Sequence, residues 1–255
     1  GSIGLAARDR GLAEVVGWVR RPERAEECLK VGAVDHMAAT IEEACAEADV
    51  VVCCASVSHL IEMGQKALDA APADCVVTDV GSTKQELVEA LGSDPRFIGG
   101  HPLAGSDRSG ITGADQYLLQ NAVYVLTPAD GVDNSQVEIL SELLGRTGAQ
   151  VILATPLEHD QMVSQVSHLP HIVAASLMNN LKSHPGALQL AAGGLRDTTR
   201  IAASNPELWE DILILNRGAV AEEIRSLISQ LQLYEQALEQ NQGEILRRYL
   251  AEAQQ

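Results

Sequence analysis

Short apolar segments alternate with amphipathic helical segments over residues 1–155, and this alternation constrains the fold more than any other feature. Strands that alternate with helices of about ten residues build parallel sheets with helices on both faces. The sequence therefore predicts an α/β domain with a doubly wound, Rossmann-like parallel sheet over 1–155. The predicted strands are 15–19, 49–55, 75–80, 97–100, 122–128 and 150–153.

After Pro156 the strand pattern disappears, and the residues are rich in Leu, Ala, Glu and Gln at helical spacing. This change predicts a second, all-helical domain over 156–255. One stripe of apolar residues has spacings that alternate between four and three, which is typical of a seam between packed helices. Its members are Val220, Ile224, Leu227, Leu231, Tyr234 and Leu238. We expect a homodimer formed through the helical domain, although the stripe also suits a core within one chain.

Composition narrows the class of partner. The formal net charge of −17 argues against nucleic acid, which requires a basic surface. No apolar run approaches the roughly twenty residues that span a bilayer, so we expect no membrane association. The five cysteines lack C-x-x-C spacing, and no export signal is visible at the start of the sequence. We therefore expect a cytoplasmic protein with reduced thiols.

The most prominent candidate site is the glycine-rich segment 99–110, GGHPLAGSDRSG. Its glycines allow the backbone to approach a ligand, and it carries an imidazole, a carboxylate and a guanidinium. The segment follows a predicted strand, so His101 lies where open α/β sheets bind ligands. A solvated turn with a surface histidine is the alternative for a lone His-Pro pair.

Small residues also follow two other predicted strands. Ala55 ends the strand predicted over 49–55 and Ser56 follows it, and Ser82 comes after the strand 75–80. Ser82 is able to bind a substrate or a nicotinamide, to cap the helix predicted over 84–91, or to do both.

The N-terminal residues suit the first helix of a dinucleotide-binding unit. No complete G-x-G-x-x-G fingerprint is found in the chain, so we expect a truncated or mis-started sequence that lacks the first strand and binds cofactor poorly. Arg20 and Arg21 follow the strand 15–19 without a carboxylate, which favours NADP over NAD; the alternative is that they only solvate a helix start. The predicted cofactor contacts are Ser2, Arg20, Arg21, Ala55, Ser56 and Ser82.

The helical half contains two further candidate groups. His168 and His171 share one helix face beside Pro170, which should kink or interrupt the helix. Two histidines make a weak metal signal, so we predict no metal and favour substrate contacts or a buried pair. Arg200, in the segment GGLRDTTR, is suited to hold a carboxylate, whereas Arg196 with Asp197 suits a surface ion pair.

Four ordered motifs together resemble the prephenate/arogenate dehydrogenase (TyrA-type) family over essentially the whole chain. They are TDVGSTK at 78–84, GGHPLAG at 99–105, SHLPH at 167–171 and GGLRDTTR at 193–200. The resemblance implies an NAD(P)-dependent oxidative decarboxylation of prephenate to 4-hydroxyphenylpyruvate, of arogenate to tyrosine, or of both, in tyrosine biosynthesis. We favour prephenate alone, or both prephenate and arogenate, as the substrate.

The resemblance also implies roles for residues. His101 accepts the proton of the substrate 4-hydroxyl as hydride leaves for the nicotinamide, and Ser82 orients His101 or that hydroxyl. Arg200 anchors a substrate carboxylate. The remaining predicted substrate contacts are His168, His171, Ser106, Asp107 and Trp209.

Asp107 is suited either to attract the ammonium of arogenate or to pair with Arg108 or a histidine. Two other functions remain open from the sequence. One is a β-hydroxyacid-type dehydrogenase, although that class uses a lysine where this chain offers two histidines. The other is a catalytically impaired helical dimerisation module with a damaged nucleotide domain.

Overall fold

The computed structural model describes residues 1–105 and 110–254, which form two compact units. The first unit comprises Gly1–Asp160 and Ser204–Leu215. The second comprises the described residues of Gln161–Ala203 and Asn216–Gln255. The sequence places all residues after 155 in the helical domain, whereas the segment Ser204–Leu215 belongs to the first unit.

The strands lie in two sheets within the first unit. A two-stranded parallel sheet contains β1 (Val16–Gly17) and β2 (His36–Met37). The second of these strands is not predicted from the sequence. A five-stranded sheet has the strand order of the chain and contains β3 (Val50–Cys53), β4 (Val76–Asp79), β5 (Phe97–Pro102), β6 (Val123–Pro128) and β7 (Gln150–Leu153).

No strand pairing joins the two sheets within the described residues. The predicted Rossmann-like α/β class of the first domain is confirmed.

Strand β6 runs antiparallel to β5, whereas the other neighbouring strands of the five-stranded sheet are parallel as predicted. Gly99 pairs with Thr127 and His101 pairs with Val125. A parallel neighbour requires a crossover of a dozen or more residues, usually a helix. The described part of the connection between β5 and β6 contains a short 3-10 helix, Ile111–Gly113, and turns. This pairing extends β5 to Pro102, so His101 lies in a strand rather than in the loop predicted after Gly100.

Helices cover the sheet and form the second unit. The first unit contains α1 (Ser2–Asp9), α2 (Ala25–Val31), α3 (Ile41–Cys45), α4 (Leu60–Ala70), α5 (Gln85–Leu91), α6 (Asn134–Arg146), the start of α7 (Pro156–Val163) and α10 (Pro206–Leu215). The second contains α8 (Leu169–Leu181), α9 (Gly193–Thr199), α11 (Arg217–Glu239) and α12 (Gly243–Glu252). A π-helical run, Ser164–His168, precedes α8, and Pro170 lies in the first turn of α8. The predicted interruption at this proline is confirmed. No helix of the described chain is both long and apolar enough to cross a membrane.

Apolar side chains are buried on both faces of the five-stranded sheet, as expected for parallel strands between helical layers. Val77 and Phe97 belong to one cluster, and their neighbours Val76 and Ile98 belong to the other. Helix α10 adds Ile212 to the first cluster. The burial of this side chain explains why α10 belongs to the first unit.

Candidate active site

Asp79, the last residue of β4, connects three parts of the first unit. Its Oδ1 accepts a hydrogen bond from the backbone N–H of Gly100 at 2.9 Å, and its Oδ2 accepts one from Gly81 at 2.6 Å. Oδ2 also accepts from the ammonium of Lys84. The carboxylate thus links the end of β4, the turn that follows it and the strand that carries His101.

Lys84 and Asp79 form a buried ion pair, with side-chain exposures of 0% and 1%. Burial lowers the pKa of the Lys84 ammonium below its usual value, and the charge of Asp79 opposes this shift. Complete burial places the pair in a medium of low dielectric constant, where removal of either partner leaves a buried charge without its counter-charge. No motif in the sequence predicts this pair.

Gly100 is required by the close approach of β5 to β4. A Cβ atom at this position would lie 2.6 Å from the carbonyl oxygen of Asp79 and 2.8 Å from the Oγ1 of Thr78. The carbonyl of Asp79 belongs to the backbone of β4 and cannot move independently, so a side chain here would push β5 away from β4.

We expect Gly100→Ala to lower the free energy of unfolding by about 1–3 kcal/mol, because it overpacks a rigid contact. Gly145→Ala is the matched control, since no atom lies within 4 Å of the position of its Cβ and the residue is helical. Urea denaturation of both variants measures the effect. A Gly100→Ala protein as stable as the Gly145→Ala protein would contradict the prediction.

His101 contacts a second histidine that the sequence analysis did not identify. Its Nδ1 lies 2.8 Å from the Nε2 of His159, and the two rings meet edge to face with centroids 5.0 Å apart. The Nδ1 of His159 lies 2.7 Å from the Oδ1 of Asp160. Three side chains therefore form a continuous chain of hydrogen bonds from a carboxylate to the predicted base.

A capping box places His159 and Asp160 in the first turns of α7. The Oγ1 of Thr155 accepts from the backbone N–H of Glu158 at 3.2 Å, and the Glu158 carboxylate accepts from the Thr155 N–H at 2.9 Å. Pro156 occupies the first helical position, where its missing N–H has no cost.

Asp160 also binds the start of α5. Its Oδ1 accepts from the N–H of Lys84 at 2.8 Å, and its Oδ2 accepts from the N–H of Gln85 at 3.0 Å. These backbone donors begin a helix and have no partner within it. Asp160, rather than Ser82, supplies the cap, which corrects the capping alternative for Ser82.

The predicted cofactor residues lie mainly after strands. Ala55 and Ser56 follow β3 and Ser82 follows β4, and because these strands are parallel neighbours their carboxyl ends share one edge of the sheet with the end of β5. The Oγ of Ser56 lies 2.9 Å from the Nδ1 of His59. Ser82 is half-buried, and within the described part of this unit no hydrogen bond joins it to His101.

The other predicted cofactor residues lie on the N-terminal side. Ser2 begins α1, and its Oγ accepts from the N–H of Asp115 at 3.1 Å. Arg20 and Arg21 are exposed in the turn after β1. The small residues after β3 and β4 fit a dinucleotide, because they let the backbone approach a phosphate or a ring closely.

The second unit holds three of the predicted substrate residues. His168 is buried, and the amide nitrogen of Asn216 donates to its Nδ1 at 3.2 Å. His171 is also buried, and burial lowers its pKa, so its imidazole is neutral at neutral pH. Arg200 is exposed at the start of a 3-10 helix, Arg200–Ala203.

Trp209 belongs to the first unit, where it packs against the apolar cluster that contains Ile212. Ser106 and Asp107 lie outside the described residues, as does Arg108. In the described ranges, no group of three or more His, Cys, Asp or Glu side chains is arranged to hold a metal ion.

Family models match both halves of the chain. The prephenate dehydrogenase nucleotide-binding domain matches residues 3–153, and the prephenate dehydrogenase dimerization domain matches residues 155–252. The chain belongs to the prephenate dehydrogenase family. It is an oxidoreductase with a nicotinamide-dependent dehydrogenase domain and a role in tyrosine biosynthesis. The resemblance is thereby confirmed over a β-hydroxyacid-type dehydrogenase.

Individual proteins agree with this assignment. The prephenate dehydrogenase of Bacillus subtilis (strain 168) is 37% identical over an alignment of 263 residues including gaps. The alignment covers 99% of this chain and 71% of that protein. The structure of prephenate dehydrogenase from A. aeolicus with hydroxyphenyl propionate and NAD+ is 30% identical with a TM-score of 0.90, covering 99% of this chain and 91% of that one. The Synechocystis arogenate dehydrogenase structure is 29% identical with a TM-score of 0.88, covering 99% and 93%.

Proposed function

We propose that this protein oxidatively decarboxylates prephenate, arogenate or both, with NAD+ or NADP+ as hydride acceptor. The observation that carries the proposal is the position of His101. It lies near the end of β5, its neighbour Gly100 is held by Asp79, and its ring is held by His159. An imidazole fixed in this way at the ligand-binding edge of the sheet is suited to general base catalysis.

His101 moves one proton and returns it. It accepts the proton of the substrate 4-hydroxyl at Nε2 as the carbon–hydrogen bond at that carbon breaks. The bound nicotinamide supplies the acceptor for the hydride. The ring carboxylate then leaves as carbon dioxide, the electrons of its bond restore the aromatic ring, and the phenolic oxygen recovers the proton from His101.

Other residues are proposed to bind and orient the substrate. Arg200 is proposed to hold a substrate carboxylate by paired hydrogen bonds, and the neutral His171 to contact the substrate as an uncharged hydrogen-bonding group. Ser82 is proposed to contact the substrate or the nicotinamide from the end of β4. His168, Ser106, Asp107 and Trp209 remain proposed substrate contacts.

Ser2, Ala55 and Ser56 are proposed to contact the cofactor. The exposed pair Arg20 and Arg21 supports NADP, because two guanidiniums suit a 2′-phosphate, whereas the NAD+ in the A. aeolicus structure supports NAD. The dimerization-domain match supports a homodimer formed through the helical part. We also propose that the enzyme is cytoplasmic.

A four-way assay tests the function. The full-length protein is given prephenate or arogenate, each with NAD+ or NADP+, and the reduced cofactor is followed by its absorbance. We expect turnover with at least one pair, and prephenate with NADP+ to be among the active pairs. Absence of turnover with all four pairs would contradict the proposal and favour an impaired dimerisation module.

A further inference from the structure

The hydrogen bonds of Asp160 determine which atom of His159 carries a proton. Both carboxylate oxygens accept from backbone N–H groups, at 2.8 Å from Lys84 and 3.0 Å from Gln85. An ionised carboxylate has no proton to give. Therefore the Nδ1 of His159, 2.7 Å from Oδ1, must be the donor of that hydrogen bond.

The same reasoning extends to His101. A neutral His159 that carries its proton on Nδ1 has a lone pair on Nε2. While His159 is neutral, its Nε2 can only accept, so the Nδ1 of His101, 2.8 Å away, is the donor of their hydrogen bond. The proton of His101 then lies on Nδ1, and the lone pair lies on Nε2, which is the atom that accepts a proton as a general base.

Burial makes this arrangement persistent. His159 is 1% exposed and Asp160 is 2% exposed, so water does not compete for their hydrogen bonds. The backbone of Gly100 is held separately by Asp79. Rotation of the His101 ring would break the bond to His159 and leave a buried acceptor without its donor, which is costly.

We propose that His159, oriented by Asp160, is a positioning residue that holds His101 in the tautomer with the proton on Nδ1 and the lone pair of the base on Nε2. The inference rests on the proposed function of His101. When His101 takes up the substrate proton, its Nδ1–H becomes a stronger donor to His159, and this interaction stabilises the protonated base. Neither His159 nor Asp160 needs to touch the substrate.

Nitrogen chemical shifts test the tautomer directly. The full-length protein, with histidine labelled by the heavy nitrogen isotope, is measured by two-bond proton–nitrogen correlation at neutral pH, and His101→Asn identifies the His101 signals among the seven histidines. We expect His101 to be protonated on Nδ1 in the wild-type protein. Protonation of neutral His101 on Nε2 would overturn the proposal whatever the activity.

Two variants of His159 separate positioning from general structural support. Gln is able to accept from His101 through its amide oxygen, whereas Leu is not. We expect His159→Leu to lower kcat by about 100-fold with little change in the KM for cofactor, and His159→Gln to recover at least about ten-fold of that loss. His184→Gln, an exposed position outside the site, should match the wild type.

The outcomes distinguish the two proposals. Equal kcat values for the Leu and Gln variants, or wild-type turnover in both, would overturn the positioning role even if the enzyme is active. Absence of turnover in the wild-type protein would overturn the proposed function, and the tautomer of His101 would still decide whether His159 holds it as inferred. The spectrum of the wild-type protein reports the tautomer of His101 even if a variant fails to fold.

Discussion

Replacing His101 with asparagine is expected to lower kcat by about 10²–10⁴-fold, the range typical of a lost general base. Asparagine keeps a polar group near the Nε2 of His159 but has no basic nitrogen for the substrate proton. The dissociation constants of cofactor and substrate should change little, because the imidazole acts mainly in the transition state. Steady-state kinetics and calorimetric binding measure the two effects separately.

An isotope effect provides a second test of the same variant. If loss of the base slows chemistry, hydride transfer should limit turnover, and substrate deuterated at the reacting carbon should show a larger primary isotope effect in His101→Asn than in the wild type. His184→Asn serves as the control because His184 is exposed and lies outside the site. Full turnover in His101→Asn would refute the assignment of the base.

Breaking the Asp79–Lys84 ion pair should cause the largest loss of stability. Asp79→Asn leaves the Lys84 ammonium completely buried with its carboxylate removed, and we expect a loss of about 3–5 kcal/mol in the free energy of unfolding. Lys84→Met should cost less, because the Asp79 carboxylate still accepts from Gly81 and Gly100. The total free energy of unfolding of a typical domain is only about 5–15 kcal/mol, so either loss of stability is large.

The double variant shows whether the charges are coupled. Asp79→Asn combined with Lys84→Met removes both charges, so its destabilisation should be smaller than the sum of the single effects. Lys66→Met is the matched control: it removes an exposed lysine that is 2.6 Å from Glu62, and it should cost less than about 1 kcal/mol. Urea denaturation measures all four proteins. Additive effects, or a Lys66→Met loss as large as that of Lys84→Met, would contradict a buried, coupled pair.

The two parts of the proposed catalytic arrangement differ in how well the sequence predicts them. His101 follows two glycines at the end of an apolar run, a local pattern that predicts a ligand-binding position. His159 and Asp160 begin an ordinary helix and carry no such pattern. The capping box at Thr155 and Glu158 does predict where this helix starts, but it gives no information on what the first turn contacts.

The direction of strand β6 could have been inferred from the sequence that precedes it. The connection that leads into it lacks the periodic apolar residues of a crossover helix, and this absence in the sequence already argued against a parallel neighbour. With the antiparallel pairing, the backbone of Gly99 and His101 bonds to β6, and β5 continues to Pro102. His101 therefore lies on a strand, which holds its backbone more rigidly than a loop would.

The sequence by itself determined the α/β class, the helical second half, the family and His101 as the candidate base, because periodicity and short motifs depend on residues close in the chain. The tertiary structure alone decided how His101 is held. His159 lies 58 residues after it, and Asp160 lies 76 residues after the backbone nitrogen of Lys84 that it binds. Such pairs form only when the sheet brings distant strand and helix ends together, and hydrogen bonding depends on that proximity rather than on separation along the chain.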